Sequence, residues 1–228
     1  MRPSNDSGDG EYDHHRQRRH PRRRGPSHHA ERISEASCRV DGDDDHRVFW
    51  VSQGAVVELH GIAVIKGATG GWPDRGGGIL NDGKLTVIGS TVSLNARSGI
   101  DNQGELRLID STVSGNSCPT GCDPGGIFNG PSATLTLTNT TVSGNYGAWT
   151  GGMSNSTGEV TIIHSTVAGN EGLYRGGALF SGGSMRVTNS LVGGDCEVVS
   201  ITSAGHNIES PGDTCGFDQP TDQVNVLS

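Results

Sequence analysis

The string GGIFNGPSATLTLTNTTVSGN, residues 125–145, holds one complete structural unit. Leu135 and Leu137 alternate with Thr134, Thr136 and Thr138, the two-residue period of a strand with one dry face and one wet face. Thr140 follows, and two positions later Val142 begins a second short apolar segment. Gly144-Asn145 then closes the unit with residues that suit a turn.

The same pattern recurs around Ser90, Ser111, Ser165 and Ser190, so that the five anchors lie 21, 29, 25 and 25 residues apart. Five positions before the anchor stand Leu85, Leu106, Leu135, Val160 and Met185. Three before it stand Val87, Leu108, Leu137, Ile162 and Val187; two after it stand Val92, Val113, Val142, Val167 and Val192. Every one is apolar, whereas the interposed Thr86, Arg107, Thr136, Thr161 and Arg186 are polar. Five positions after the anchor, Asn95, Asn116, Asn145 and Asn170 are followed in the last copy by Asp195. Stacked asparagines of this kind can hydrogen-bond amide to amide as a ladder.

Upstream of each anchor lies a further short strand: GGILN (77–81), SGIDN (98–102), GGIFN (125–129), GGMSN (151–155) and GGALF (176–180). The third position, Ile79, Ile100, Ile127, Met153 and Ala178, is expected to point inward. The fourth, Leu80, Asp101, Phe128, Ser154 and Leu179, is expected to point outward. A weaker preceding copy places Val57, Leu59 and Val64 in the columns of Leu85, Val87 and Val92, with Arg47–Val51 as its first strand.

Three short strands per repeat, with no room for a helix, predict an all-β right-handed parallel β-helix of about six coils. At ~4.8 Å per coil the column is roughly 25–30 Å tall. An antiparallel sandwich would need longer strands and would not repeat in every column. The composition agrees with a thin core: 37 of 228 residues are Gly and only 4% are aromatic, against roughly 7% Gly in ordinary chains.

Three segments are expected: a disordered basic, His-rich arm over 1–39, coils over 40–194, and a C-terminal cap over 195–228. The arm contains Arg16-Gln17-Arg18-Arg19 and Arg22-Arg23-Arg24 and is too poor in apolar residues to order itself. It differs so much in character from residues 40–228 that a non-native start is one reading of it. Net charge over the whole chain is −8. The arm's nine basic and six acidic residues leave eight basic and nineteen acidic residues beyond it, a net of −11 for residues 41–228. An acidic body of this kind repels nucleic acid, and the sequence has no apolar run of membrane-spanning length.

The coils resemble those of bacterial extracellular β-helix proteins: the polymorphic outer-membrane-protein repeats and, more closely, proteins with a choice-of-anchor domain. The carrying strings are GGGILNDGKLTVIGSTVSLN (76–95), GGIFNGPSATLTLTNTTVSGN (125–145) and the tail DCEVVSITSAGHNIESPGDTCGF (195–217). The resemblance runs from about Val40 to the C-terminus and implies a right-handed β-helix at the cell surface or secreted. It supplies no catalytic residues. Such proteins begin with an export signal and continue toward a surface anchor; this chain shows neither, so a fragment of a longer protein is expected.

Of the five cysteines, Cys118 and Cys122 bracket a loop inserted between coils, and Cys196 and Cys215 flank the tail. The pairings Cys118–Cys122 and Cys196–Cys215 would suit an oxidising compartment; free thiols throughout are the alternative, because spacing does not fix connectivity. Cys38 is left over in the arm. No cofactor or metal is expected. The sequence has no second Cys pair or His pair at zinc spacing, and Asp43-Asp44-Asp45 reads as a solvated turn.

The candidate binding residues lie in the turns that link one coil to the next: Trp72, Arg75, Arg97, Tyr146, Trp149, Tyr174 and Arg175. Stacking puts these turns along one edge of the column, and Trp, Tyr and Arg are the residues most enriched at binding hot spots. The plainer reading is that the loops pack on one another and shield the strands beneath. His164 and Gly205-His206-Asn207 read as turn residues. The expected function is a non-enzymatic surface or secreted solenoid, adhesin-like, that binds a polysaccharide or a surface partner through these loops. The alternative is a polysaccharide lyase or glycoside hydrolase of the pectin-lyase-like type, which would need paired carboxylates. Asp101, Glu105, Asp110 and Glu159 do not stack as such pairs. Nucleic-acid binding through the arm ranks last, and the oligomeric state is left open.

Overall fold

The computed structural model describes residues 38–70, 76–119 and 124–226. The chain divides into two units, residues 1–33 and 34–228, and every described residue belongs to the second. The expected arm therefore lies outside the described residues, except for its last two positions. Among the described residues all regular structure is strand.

The fold is a right-handed parallel β-solenoid of about six turns. Each turn contributes three strands. The first strands are Phe49–Val51, Ile79–Asn81, Ile100–Asn102, Ile127–Asn129 and Met153–Asn155. The second are Val56–His60, Lys84–Ile88, Glu105–Ile109, Thr134–Thr138 and Glu159–Ile163; the long strand Leu179–Thr188 runs through both faces. The third strands form a separate sheet, from Cys38–Asp41 through Ile62–Ile65, Thr91–Ser93, Thr112–Ser114, Thr141–Ser143 and Thr166–Ala168 to Leu191–Gly193 and Ile208–Ser210. All pairings are parallel, and Leu85↔Leu106↔Leu135↔Val160↔Met185 are in register, as the repeat predicts. The weaker first copy also falls in place, with Val57 opposite Leu85 and Val64 opposite Val92.

The fifteen apolar residues of the three repeat columns are all buried, none more than 3% exposed. Removing each such side chain from water contributes roughly 1.5–3 kcal/mol. They form one continuous core that ends, at the C-terminal side, on Cys215 and Phe217. The anchor hydroxyls are buried too, and each serves a corner: Ser165 donates to Ile163 O at 2.7 Å and accepts from Thr140 N–H at 3.1 Å.

One expectation is corrected. In GGALF it is Leu179, not Ala178, that lies opposite Met153, and Phe180 lies opposite Ser154. Leu179 is fully buried. Ala178 is fully buried in the core as well, so its inward reading holds; what changes is that Leu179, expected outward, takes the inward column opposite Met153. Asp101 and Ser154, expected on an outward face, are also buried, at 4% and 1% exposure. They share the column of Leu80 and Phe128.

Among the described residues the first strand, Cys38–Asp41, pairs with Ile62–Ile65, and Cys38 is exposed with a free thiol. At the other end, Cys196–Ser203 lies on Leu179–Thr188 and Ile208–Ser210 on Leu191–Gly193, so the segment expected as a cap adds a further layer. Cys196 and Cys215 are joined by a disulfide across a separation of 19 residues. Asp222 ties the final loop down by accepting from Ser203 Oγ, Asn207 N–H and Gln219 N–H.

Candidate functional site

The loops between third and first strands are themselves hydrogen-bonded into a short ladder. Ser117–Cys118, Tyr146–Gly147 and Glu171–Gly172 pair in parallel. The ladder continues as Leu173 N–H bonds Gly147 O, Tyr174 N–H bonds Ala148 O and Arg175 N–H bonds Trp149 O at 3.0–3.1 Å. Successive loops thus carry their side chains in fixed register, as the strands beneath them do.

On this ladder three of the expected residues meet. The rings of Trp149 and Tyr174 are tilted at 51° with centroids 5.4 Å apart, within the range for attractive aromatic pairs. The Arg175 guanidinium stands 5.5 Å from the Trp149 centroid and 4.3 Å from that of Phe180, cation–π distances in both cases. Its Nη1 also donates to Glu197 Oε1 at 2.7 Å. Trp149 and Tyr174 nevertheless remain 46% and 72% exposed. A cation held between two rings and pinned by a carboxylate cannot reorient freely, so the exposed aromatic surface beside it is preorganised.

Phe180 and Glu197 belong to this cluster and were not among the expected residues. Phe180 was hidden by the one-residue slip in GGALF. Glu197 lies in the tail, and only the pairing Phe180↔Glu197 brings it alongside.

Of the other expected residues, Trp72, Arg75 and Cys122 lie outside the described residues. Arg97 is half-buried with a left-handed backbone (φ 59°), its N–H bonded to Ser117 O at 2.9 Å. Tyr146 is half-buried on the ladder between Ser117 and Glu171. Cys118 is buried and disulfide-bonded.

Of the carboxylates weighed for catalysis, Glu105 and Glu159 share one column two rungs apart with Thr134 between them. Asp101 is buried beside Gln103, and Asp110 accepts from Asn139 Nδ2 at 2.6 Å on the exposed turn column. Glu105 contacts Lys84 and Arg107, each at 3.1 Å. The Lys84 ammonium, opposed by partial desolvation and aided by Arg107, holds the Glu105 carboxyl below the usual range. A glycosidase acid needs the opposite shift. Among the described residues no group of three or more His, Cys, Asp or Glu gathers as a metal would require. Among them also no helix is long and apolar enough to cross a membrane.

Comparison with known proteins finds no family model, no curated protein and no solved structure that matches the chain.

Proposed function

We propose that this chain is a non-enzymatic, secreted or surface-displayed solenoid that binds a glycan or a surface partner through its stacked loops, in the manner of the bacterial adhesin-like β-helix proteins its repeats resemble. The observation that carries this reading is the cluster Trp149–Tyr174–Arg175, rigid at its base and exposed at its rim. Aromatic rings held in fixed orientation suit the apolar faces of sugar rings and the side chains of a partner protein alike. The Cys196–Cys215 bridge fits an oxidising compartment.

The test is retention of the full chain on immobilised polysaccharides and cell-surface preparations, with products assayed in parallel. Trp149→Ala and Arg175→Ala are expected to weaken retention at least ~10-fold, the hot-spot scale. Retention unchanged in both variants would refute the loop reading. Release of new reducing ends or unsaturated products would move the protein to the lyase or hydrolase class.

A further inference from the structure

A second aromatic residue lies far from that cluster on the same outward column. The column runs Trp50, Leu80, Asp101, Phe128, Ser154, Phe180 and Glu197, one residue per rung. Trp50 and Phe180 are therefore five rungs, ~24 Å, apart. Between them Asp101 and Ser154 are covered, so the surface around Trp50 is not continuous with the Arg175 cluster.

Trp50 is 64% exposed. Leaving the largest apolar side chain in water forgoes burial that a structural Trp would supply. Yet the ring is fixed. Its Nε1–H donates to Asp82 Oδ2 at 2.7 Å. Asp82 is in turn held by its own N–H on Val51 O at 2.8 Å, one residue beyond Trp50. Gln53 from the same turn and Gln103 from the third rung complete a groove of about 470 Å³ around this pair. Gln103 is anchored as well, by its Nε2 donating to Asp101 and its N–H bonded to Asn81 O at 2.7 Å. The cavity is of the size that takes small ligands.

We propose that this groove is a binding site for an uncharged sugar unit of a polysaccharide. The indole offers a flat apolar platform for the C–H face of a pyranose ring. Around its edge, one carboxylate and two primary amides supply acceptors and donors for equatorial hydroxyls. Charge narrows the class further. The four lining residues include a carboxylate and no cation. Across residues 50–103 four acidic and four basic side chains balance, so selection against uronates and sulfated sugars rests on the Asp82 carboxylate itself, within residues 41–228 of net charge −11. The site is separate from the loop cluster and does not rest on it.

The experiment is affinity electrophoresis of the full chain through gels containing galactomannan, xyloglucan, laminarin or polygalacturonate. At least one neutral polysaccharide is expected to retard the protein. Trp50→Ala should weaken that retardation 10-fold or more, Asp82→Ala several-fold, and Arg186→Ala, an exposed residue outside both clusters, not at all. Trp50→Phe, which keeps a ring, should restore part of it, and thermal melts should show Trp50→Ala folded. If Trp50→Ala proves unfolded, Trp50→Phe and Asp82→Asn carry the test through their retardation alone. Retardation that persists in Trp50→Ala, or by no neutral polysaccharide, would overturn the assignment. Loss in Trp149→Ala with retardation intact in Trp50→Ala would overturn it while leaving the loop reading standing.

Discussion

Asn116 Nδ2 donates to Asn145 Oδ1 at 2.9 Å, although 29 residues separate them. Asn95 makes the same bond to Asn116 at 2.8 Å, and Asn145 to Asn170 at 2.9 Å. Each amide also bonds backbone: Asn116 Oδ1 accepts from Asn95 N–H, and its Nδ2 donates to Val92 O. The ladder closes a corner of the solenoid where strand hydrogen bonds stop. A second ladder, Asn81–Asn102–Asn129–Asn155, ends on Ser181.

Asn116→Ala should therefore strand a buried N–H and a buried amide on Asn95. At ~1–3 kcal/mol per unsatisfied group the expected loss is about 3 kcal/mol, read from urea unfolding. A loss below the error of the measurement would mean that the amides do not bear on stability.

Gly126 has no room for a side chain: a Cβ there would lie 2.2 Å from Gly152 O, a backbone atom of the next turn. Gly126→Ala should cost ~1–3 kcal/mol or more through overpacking. At Gly54, by contrast, nothing lies within 4 Å and only the left-handed backbone (φ +81°) is at issue. Gly54→Ala should cost ~1–2 kcal/mol. Thermal melts of the two variants compare space with strain directly.

The register of the sixth turn separates two neighbours. Leu179→Ala opens a cavity in the core and should cost ~2–5 kcal/mol. Phe180→Ala, on the outer side, should change stability much less but free Arg175 on one flank. A double comparison by denaturation and by polysaccharide retention reads both effects; equal destabilisation of the two would argue for the register in which Ala178 faces Met153.

Asp222 gives the last loop a pH dependence. Burial alone would raise its carboxyl, but the bonds from Ser203 Oγ, Asn207 N–H and Gln219 N–H together outweigh it and the net shift is downward. A carboxyl depressed in the folded state adds stability above the ordinary Asp range, and that contribution is lost as pH falls through the folded value. Stability should thus decline on acidification below the normal Asp pKa. The part due to this loop should vanish in Asp222→Asn, measured as melting temperature against pH.

Much of this molecule is written in its repeats. The Leu, Val and Ile columns, their parallel register and the asparagine ladder at 95, 116, 145 and 170 follow from side-chain period alone, because a strand's two faces meet different solvents. The meaning of the anchor hydroxyls was not legible in the same way. Ser165 marks the repeat, but that it satisfies Thr140 N–H depends on the turn below it. Nor could the sequence separate Ala178 from Leu179, since a string with one more residue fits both registers and only packing against Met153 chooses.

The candidate site divides along the same line. Local sequence was enough to set Trp149, Tyr174 and Arg175 in linking loops. It could not bring in Phe180 and Glu197, or join Trp50 to Asp82 and Gln103, which stand 32 and 53 positions further along the chain. Such contacts are made between turns, across ~4.8 Å of stacking. They depend on the path that each intervening loop takes, which its length alone does not fix.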